Sequence, residues 1–172
     1  MDLFIGVDIG TSGVRAALFD GNGKEISLYH EEYPMISKEP GMGELDPDRV
    51  FKSTINVIKN CIDKSGVKGN NIAAIGFSTQ LFSILAVDSE GKCLTNVFTW
   101  ADSRSINHAE MIKDKYDYVK MYNNTGCRAQ HPMYPVSKVL WLKDTMPEIF
   151  AKTYKFISIK EYVLLRLYGK YV

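Results

Sequence analysis

One segment limits what this chain can fold into more than any other: an apolar run that ends on an acid, turns through glycines and hydroxyls, and re-enters an apolar run. Residues 3–8 (LFIGVD) read as a strand, Gly10-Thr11-Ser12-Gly13 as a tight turn, and Val14 to Phe19 as the returning strand. A third strand, Glu25 to Tyr33, follows Asp20-Gly21-Asn22-Gly23, whose residue types suit a hairpin turn with positive φ. The pattern predicts an antiparallel meander.

The first turn carries chemistry. Gly10 and Gly13 allow backbone N–H groups to come close to a ligand, and consecutive N–H groups in a tight turn form an anion-binding concavity. Thr11 and Ser12 add hydroxyl donors, and Arg15 offers a charged fork for phosphate. Asp8, at the strand end, can hold a hydrated Mg²⁺ or polarise a water beside that phosphate. The segment is neither GxxxxGK[ST] nor GxGxxG, and a strand rather than a helix follows it, so the phosphate would sit on a β-hairpin. The same residues also read as an ordinary hairpin turn, and composition alone leaves both readings open.

Downstream, residues 34–46 hold two prolines and two glycines without periodicity and read as a loop. Asp46 and Pro47 then suit the start of a helix, with Val50, Phe51, Ile55, Ile58 and Ile62 as its apolar stripe and Gly66 near its end. Ile72 to Ser78 reads as a buried strand. Further strands are expected over Phe82 to Val87, Lys92 to Thr95, Val97 to Trp100 and Tyr154 to Ile157, and helices over 103–115, 136–144 and 159–168. Tyr154, Tyr162, Tyr168 and the Leu/Ile run 157–167 read as core. This order argues for an α/β fold, a mixed sheet with flanking helices.

Composition narrows the function. With 21 Lys+Arg against 20 Asp+Glu, and the basic residues scattered, the chain lacks the charge footprint of a nucleic-acid binder. No apolar stretch approaches the roughly 20 residues needed to span a bilayer, and the N-terminal residues lack a signal-peptide layout, so the expectation is a cytoplasmic protein with no membrane partner. The three cysteines, Cys61, Cys93 and Cys127, form no CxxC pair and are expected reduced and buried. The three histidines show no ligand spacing, which argues against a His- or Cys-based metal centre.

DIGTSGVR after an apolar strand, with DGNGK behind it, resembles the first phosphate motif of the sugar-kinase, heat-shock and actin superfamily, whose fold is ribonuclease H-like. Within it the chain is similar to the N-terminal, sugar-binding domain of the FGGY carbohydrate kinases. AAIGFSTQ, DSEGKCLTN, TWADSRS, NNTGCRAQHPMYPVSKVLWLKD and KFISIKEYVLLRLYGKYV have counterparts in the same order, so the likeness runs over residues 1–172. TWADSRS and HPMYP look most like the gluconate kinases, with the xylulose kinases close behind.

The resemblance implies roles. Asp8 becomes the Mg²⁺-organising catalytic acid. Gly10, Thr11, Ser12 and Gly13, assisted by Arg15, become contacts for the terminal phosphates of ATP. Gln80, Leu81 and Phe82 match a sugar-contacting turn where glycerol kinases carry Arg-Glu and gluconate or xylulose kinases Met-His. Leu81-Phe82 departs from both, argues against glycerol, and reads most simply as core packing. Trp100, Asp102 and Arg104 become a second sugar-facing cluster, an apolar face with a carboxylate and a carboxylate-holding fork. On residue types alone, Asp102 or Ser103 equally caps a helix and Arg104 is equally a solvated first-turn residue. A loop stiffened by two prolines can present His131 or Tyr134 to a sugar, and His131 is taken as the substrate contact, although a lone loop histidine more often has a structural hydrogen bond. Ser137 and Lys138 lack the SxxK spacing of a nucleophile pair.

The implied activity is phosphoryl transfer from ATP, with Mg²⁺, to gluconate or a ketopentose such as xylulose. The longer enzyme would take a sugar or sugar acid and ATP as partners and is expected as a homodimer. The resemblance also implies that these residues stop inside the first domain, short of the general base and the adenine site, and are inactive alone. Two alternatives stand beside it: a noncatalytic sugar-binding or regulatory module, and a sugar-independent ATPase of the actin and heat-shock kind.

Overall fold

The computed structural model describes residues 2–171, which divide into two compact units. The first runs from the N-terminus to Met35 and includes Asp46–Gln80; the second comprises Ile36–Leu45 and the residues from Leu81 onward.

In the first unit, β1 (Leu3–Ile9), β2 (Gly13–Phe19) and β3 (Glu25–Glu32) form the expected meander, and β5 (Ile72–Thr79) joins β1 in parallel, giving the order β3-β2-β1-β5. The strand β4 (Glu44–Leu45) lies between them in sequence but belongs to the second unit. Leu3, Ile5, Val7 and Ile9 alternate inward, as do Val14, Ala16 and Leu18, so one face of the sheet is apolar and closed. The β2–β3 turn takes the conformation its residues favour: Gly23 has φ +81°, and Asp20 Oδ1 accepts the N–H groups of Asn22 and Lys24.

Helix α1 (Pro47–Ser65) covers the closed face. Asp46 caps it, accepting from the N–H groups of Asp48 and Arg49, and Gly66, with φ +73°, ends it. The expected stripe is displaced, however. The buried face is Val50, Ser53, Thr54, Val57 and Cys61, while Phe51, Ile55, Ile58 and Ile62 are only half-buried along its flank. Small hydroxyl-bearing residues win the inner position because each finds a bond there: Thr54 Oγ1 donates to the Val50 carbonyl and Ser53 Oγ to Glu31, while Ser27 Oγ of β3 donates to the Cys61 carbonyl.

The expected burial of β5 is corrected. Most of its residues are exposed, because it forms the sheet edge with β1 as its only strand neighbour among the described residues.

The second unit is built on short strands. β4 pairs with β7 (Val97–Phe98), β6 (Leu85–Val87) pairs with β8 (Lys155–Ile157), and a bridge between Ile84 and Phe98 ties the two pairs. Around them lie α2 (Ile106–Lys115), α3 (Tyr118–Thr125), α4 (Pro135–Thr145), α5 (Pro147–Lys152) and α6 (Ile159–Tyr168). Ile84, Phe98 and Leu142 form a core cluster with Trp141, Phe150 and Phe156 packed against it.

Several sequence expectations shift here. Residues 34–46 contain β4, α3 and α5 were not anticipated, and Lys92 to Thr95 makes only a single bridge, Cys93 to Val87. Tyr162 is buried as expected, but Tyr154 and Tyr168 are exposed, as is Cys127.

Candidate functional site

The first unit carries the glycine turn. Asp8 and Arg15 face each other in the β1–β2 register, and Arg15 Nε lies 3.3 Å from Asp8 Oδ2 with both side chains substantially exposed. The turn closes on the Gly10 N–H, which donates to the Gly13 carbonyl at 2.9 Å. Neither Thr11 nor Ser12 donates its N–H to a backbone carbonyl among the described residues. A cavity of about 310 Å³ adjoins the turn, lined in part by Gly10, Ser12, Gly13, Arg15, His30 and Glu32.

The glycines are required for a reason the sequence did not reveal. A Cβ on Gly13 would lie 2.7 Å from the Glu31 carbonyl oxygen, and one on Gly10 would lie 3.2 Å from the Gly13 oxygen. Neither has positive φ; the close passage of β3 leaves no room for a side chain at Gly13, and the turn crossing itself makes Gly10 tight.

Tyr33, absent from the sequence-based set, underpins the turn. It is 4% exposed. Its Oη lies 2.7 Å from the Gly10 carbonyl oxygen and 3.1 Å from that of Gly13, and its N–H donates to the Ser12 carbonyl at 3.2 Å. Burial, with the charge of Asp8 acting the same way, pushes its phenol well above the ordinary tyrosine value, so it stays a donor. Gln80 ends the β5 segment: its N–H donates to the Ile9 carbonyl at 2.8 Å, and its buried Oε1 has no partner among the described residues.

The second unit gathers most of the remaining residues. Trp100 is 50% exposed at the tip of a turn. The residues flanking it are clamped to Gly43: Thr99 donates both its N–H and its Oγ1 to the Gly43 carbonyl, and the Gly43 N–H donates to Asp102 Oδ2 at 3.1 Å. A Cβ on Gly43 would lie 3.0 Å from the Asp102 nitrogen, so the close approach favours glycine.

Asp102, 2% exposed, is occupied by Gly43 and Arg104, with Arg104 Nη2 at 2.7 Å. Arg104 also pairs with Glu44 and, at 3.2 Å, with Glu39, while its guanidinium lies 4.6 Å from the Trp141 ring centroid. Burial alone would lower the Arg104 pKa; its hydrogen bonds to Asp102 and Glu44 more than offset that and raise it. The expected alternatives of a helix-capping Asp102 and a solvated Arg104 are therefore corrected: α2 starts after Ser105, and both side chains belong to a buried ionic cluster. Glu39, Gly43 and Glu44 escaped notice because they lie in a stretch without periodicity.

Leu81 is 70% exposed, which rules out core packing for it. Phe82 has φ +60°, an unusual conformation for a bulky residue, and its ring centroid lies 4.5 Å from that of Tyr134. His131 is exposed, and its Nδ1 accepts the Met133 N–H at 3.2 Å. Lys138 is buried on α4 and donates to the Pro132 carbonyl; burial lowers its pKa to about 8 against a raising contribution from Asp102.

The profile of the FGGY family of carbohydrate kinases, N-terminal domain, matches residues 3–172. The chain belongs to this family. A gluconokinase of Bacillus subtilis is 34% identical over 168 residues, covering 98% of this chain and 32% of its own. A xylulose kinase of the same organism is 30% identical over 170 residues, covering 98% and 34%. The crystal structure of gluconate kinase from Lactobacillus acidophilus superposes with a TM-score of 0.91 at 36% identity, over 99% of this chain and 34% of that one. This FGGY chain thus spans about a third of the length of the curated relatives it matches. The ribonuclease H-like mixed sheet with flanking helices expected from the sequence is the fold of these kinase domains. Among the described residues no helix is long and apolar enough to cross a membrane, and no group of three or more His, Cys, Asp or Glu side chains is arranged to hold a metal ion.

Proposed function

We propose that the protein carrying this chain transfers the γ-phosphoryl group of ATP to a hydroxyl of a sugar or sugar acid, of the gluconate or xylulose class, in the cytoplasm. The observation that carries this is the β1–β2 turn: an acid at its base, and amides of Thr11 and Ser12 without backbone acceptors. Amides so arranged suit the terminal phosphate oxygens, and the Thr11 and Ser12 hydroxyls and Arg15 extend the set.

The chemistry at Asp8 fits Mg²⁺. A half-exposed carboxylate is a hard oxygen ligand, and Mg²⁺ commonly keeps several waters and takes one or two carboxylates together with substrate phosphates. The metal, when bound, would neutralise charge on the transferring phosphoryl group. Arg15 holds the Asp8 carboxylate in place from the adjacent strand.

On the sugar side, Trp100 offers an exposed apolar face. Asp102 and Arg104 contribute by holding its turn through Gly43 and Glu44 rather than as free groups. Gln80, Leu81, Phe82 and His131 complete the substrate set, with Leu81-Phe82 disfavouring glycerol.

The deciding experiment measures ADP release by the protein carrying this chain, with gluconate, xylulose, glycerol or no acceptor. Release dependent on gluconate or xylulose is expected. Sugar-independent hydrolysis would replace this reading with an ATPase, and sugar binding without turnover would replace it with a noncatalytic module.

A further inference from the structure

The phosphate turn is shaped from behind by a residue that follows the third strand. Tyr33, just beyond β3, reaches back 20 and 23 residues to the carbonyls of Gly13 and Gly10 through its side chain, and to the Ser12 carbonyl through its own N–H. Three carbonyls of the turn are thereby held by one buried residue.

The consequence follows from peptide geometry. In a trans peptide the carbonyl of one residue and the N–H of the next point in opposite directions, and no cis bond occurs among the described residues. Drawing the Gly10 carbonyl towards Tyr33 turns the Thr11 N–H away from it, and drawing the Ser12 carbonyl turns the Gly13 N–H away. Tyr33 has a single hydroxyl hydrogen, shared between two acceptors, and no charge that would attract phosphate itself.

We propose that Tyr33 is a positioning residue of the phosphate site: its hydroxyl, on the Gly10 carbonyl, aims the Thr11 amide at phosphate oxygens, and its own N–H, on the Ser12 carbonyl, aims the Gly13 amide. The inference rests on the reading of this turn as a phosphate site. It assigns to the residue after β3 a role in nucleotide binding that the turn sequence alone does not carry. Preorganised amides bind an anion without first paying to reorient, so loss of the hydroxyl weakens binding without removing any ligand contact.

The test compares the protein carrying this chain with its Tyr33→Phe variant and with its variant holding 4-aminophenylalanine at position 33, which restores a para donor. The probe is Mg²⁺ tripolyphosphate, followed by calorimetry and by the amide resonances of Thr11 and Gly13, with circular dichroism reporting folding. Tyr33→Phe is expected to remain folded, to shift the Thr11 amide in the free protein while leaving that of Gly13, tied to the backbone N–H of residue 33, nearly in place, and to bind roughly tenfold more weakly; the amino variant recovers to within about threefold. An unchanged free-state Thr11 amide in Tyr33→Phe, or binding within twofold of the parent, would overturn the proposal. If Tyr33→Phe does not fold, the amino variant decides alone: near-parental affinity supports the role, and a tenfold loss in a folded protein sinks it. A parent protein that takes no tripolyphosphate defeats the phosphate reading itself, and the free-state Thr11 amide then still judges whether Tyr33 sets the turn.

Discussion

Arg15 Nε lies 3.3 Å from Asp8 Oδ2 across the first hairpin, so the acid proposed to organise Mg²⁺ already has a cationic neighbour. Both groups are well exposed, where such a pair contributes at most about 1 kcal/mol to stability. Asp8→Asn is therefore expected to leave the unfolding midpoint nearly unchanged while abolishing the difference between ATP binding with Mg²⁺ and with EDTA. Titration calorimetry of the protein carrying this chain, set beside thermal denaturation, separates the two effects.

The Arg104 cluster behaves in the opposite way. Arg104→Met strands Asp102 and Glu44, both buried, without their cation, and breaking such a pair typically costs about 3–5 kcal/mol. Urea denaturation should show a loss of that order. The double replacement with Asp102→Asn should cost less than the sum of the two single ones, because the stranded carboxylate has gone.

Lys138 gives the chain a pH signature. Its pKa is about 8 when folded and near 10.5 when unfolded, so between these values the unfolded state binds the extra proton. Stability therefore rises with pH across that window, since the cost of burying the charge is relieved as the lysine deprotonates. Tyr33 acts with the opposite sign above about pH 10, where the unfolded phenol ionises and the folded one does not. Denaturation from pH 7.5 to 10 should show the rise in the parent and its absence in Lys138→Met, with the difference between the two curves isolating this one group.

Thiol labelling reads local opening. Cys127 is exposed, and Cys61 is fully buried on the inner face of α1 with a bond to Ser27. Cys127 should react with a maleimide at the rate of a free thiol. Cys61 should react only as fast as α1 leaves the sheet, accelerating with denaturant in step with global unfolding. Early labelling of Cys61 would show α1 detaching by itself.

The legible parts of this chain were those where one residue type has few alternatives. Asp46-Pro47, the Gly66 stop and Asp20-Gly21-Asn22-Gly23 announced their caps and turns, and the apolar run from Leu3 announced a strand. Failures came where long-range pairing decides. Glu44 and Leu45 form a strand only because Val97 and Phe98 lie beside them, and β5 looks like a central strand in composition although it forms an edge. The site shows the same division. Asp8 to Arg15 could be read as a local motif, whereas Tyr33, Gly43, Glu44 and Lys138 act through contacts that sequence proximity does not reveal. Arg104 was noticed for its charge, but its partners were not.

The inner face of α1 has a mechanical consequence. Ser53, Thr54 and Cys61 are short and bonded at fixed points, so the helix has no long side chains with which to slide or repack against the strands. A larger residue there, such as Thr54→Leu, would push the helix away, since overpacking commonly costs about 1–3 kcal/mol. The strands that bear the turn proposed to hold phosphate are thus backed by a stiff plate, and any movement of this unit must be carried by the piece as a whole, not by yielding within it.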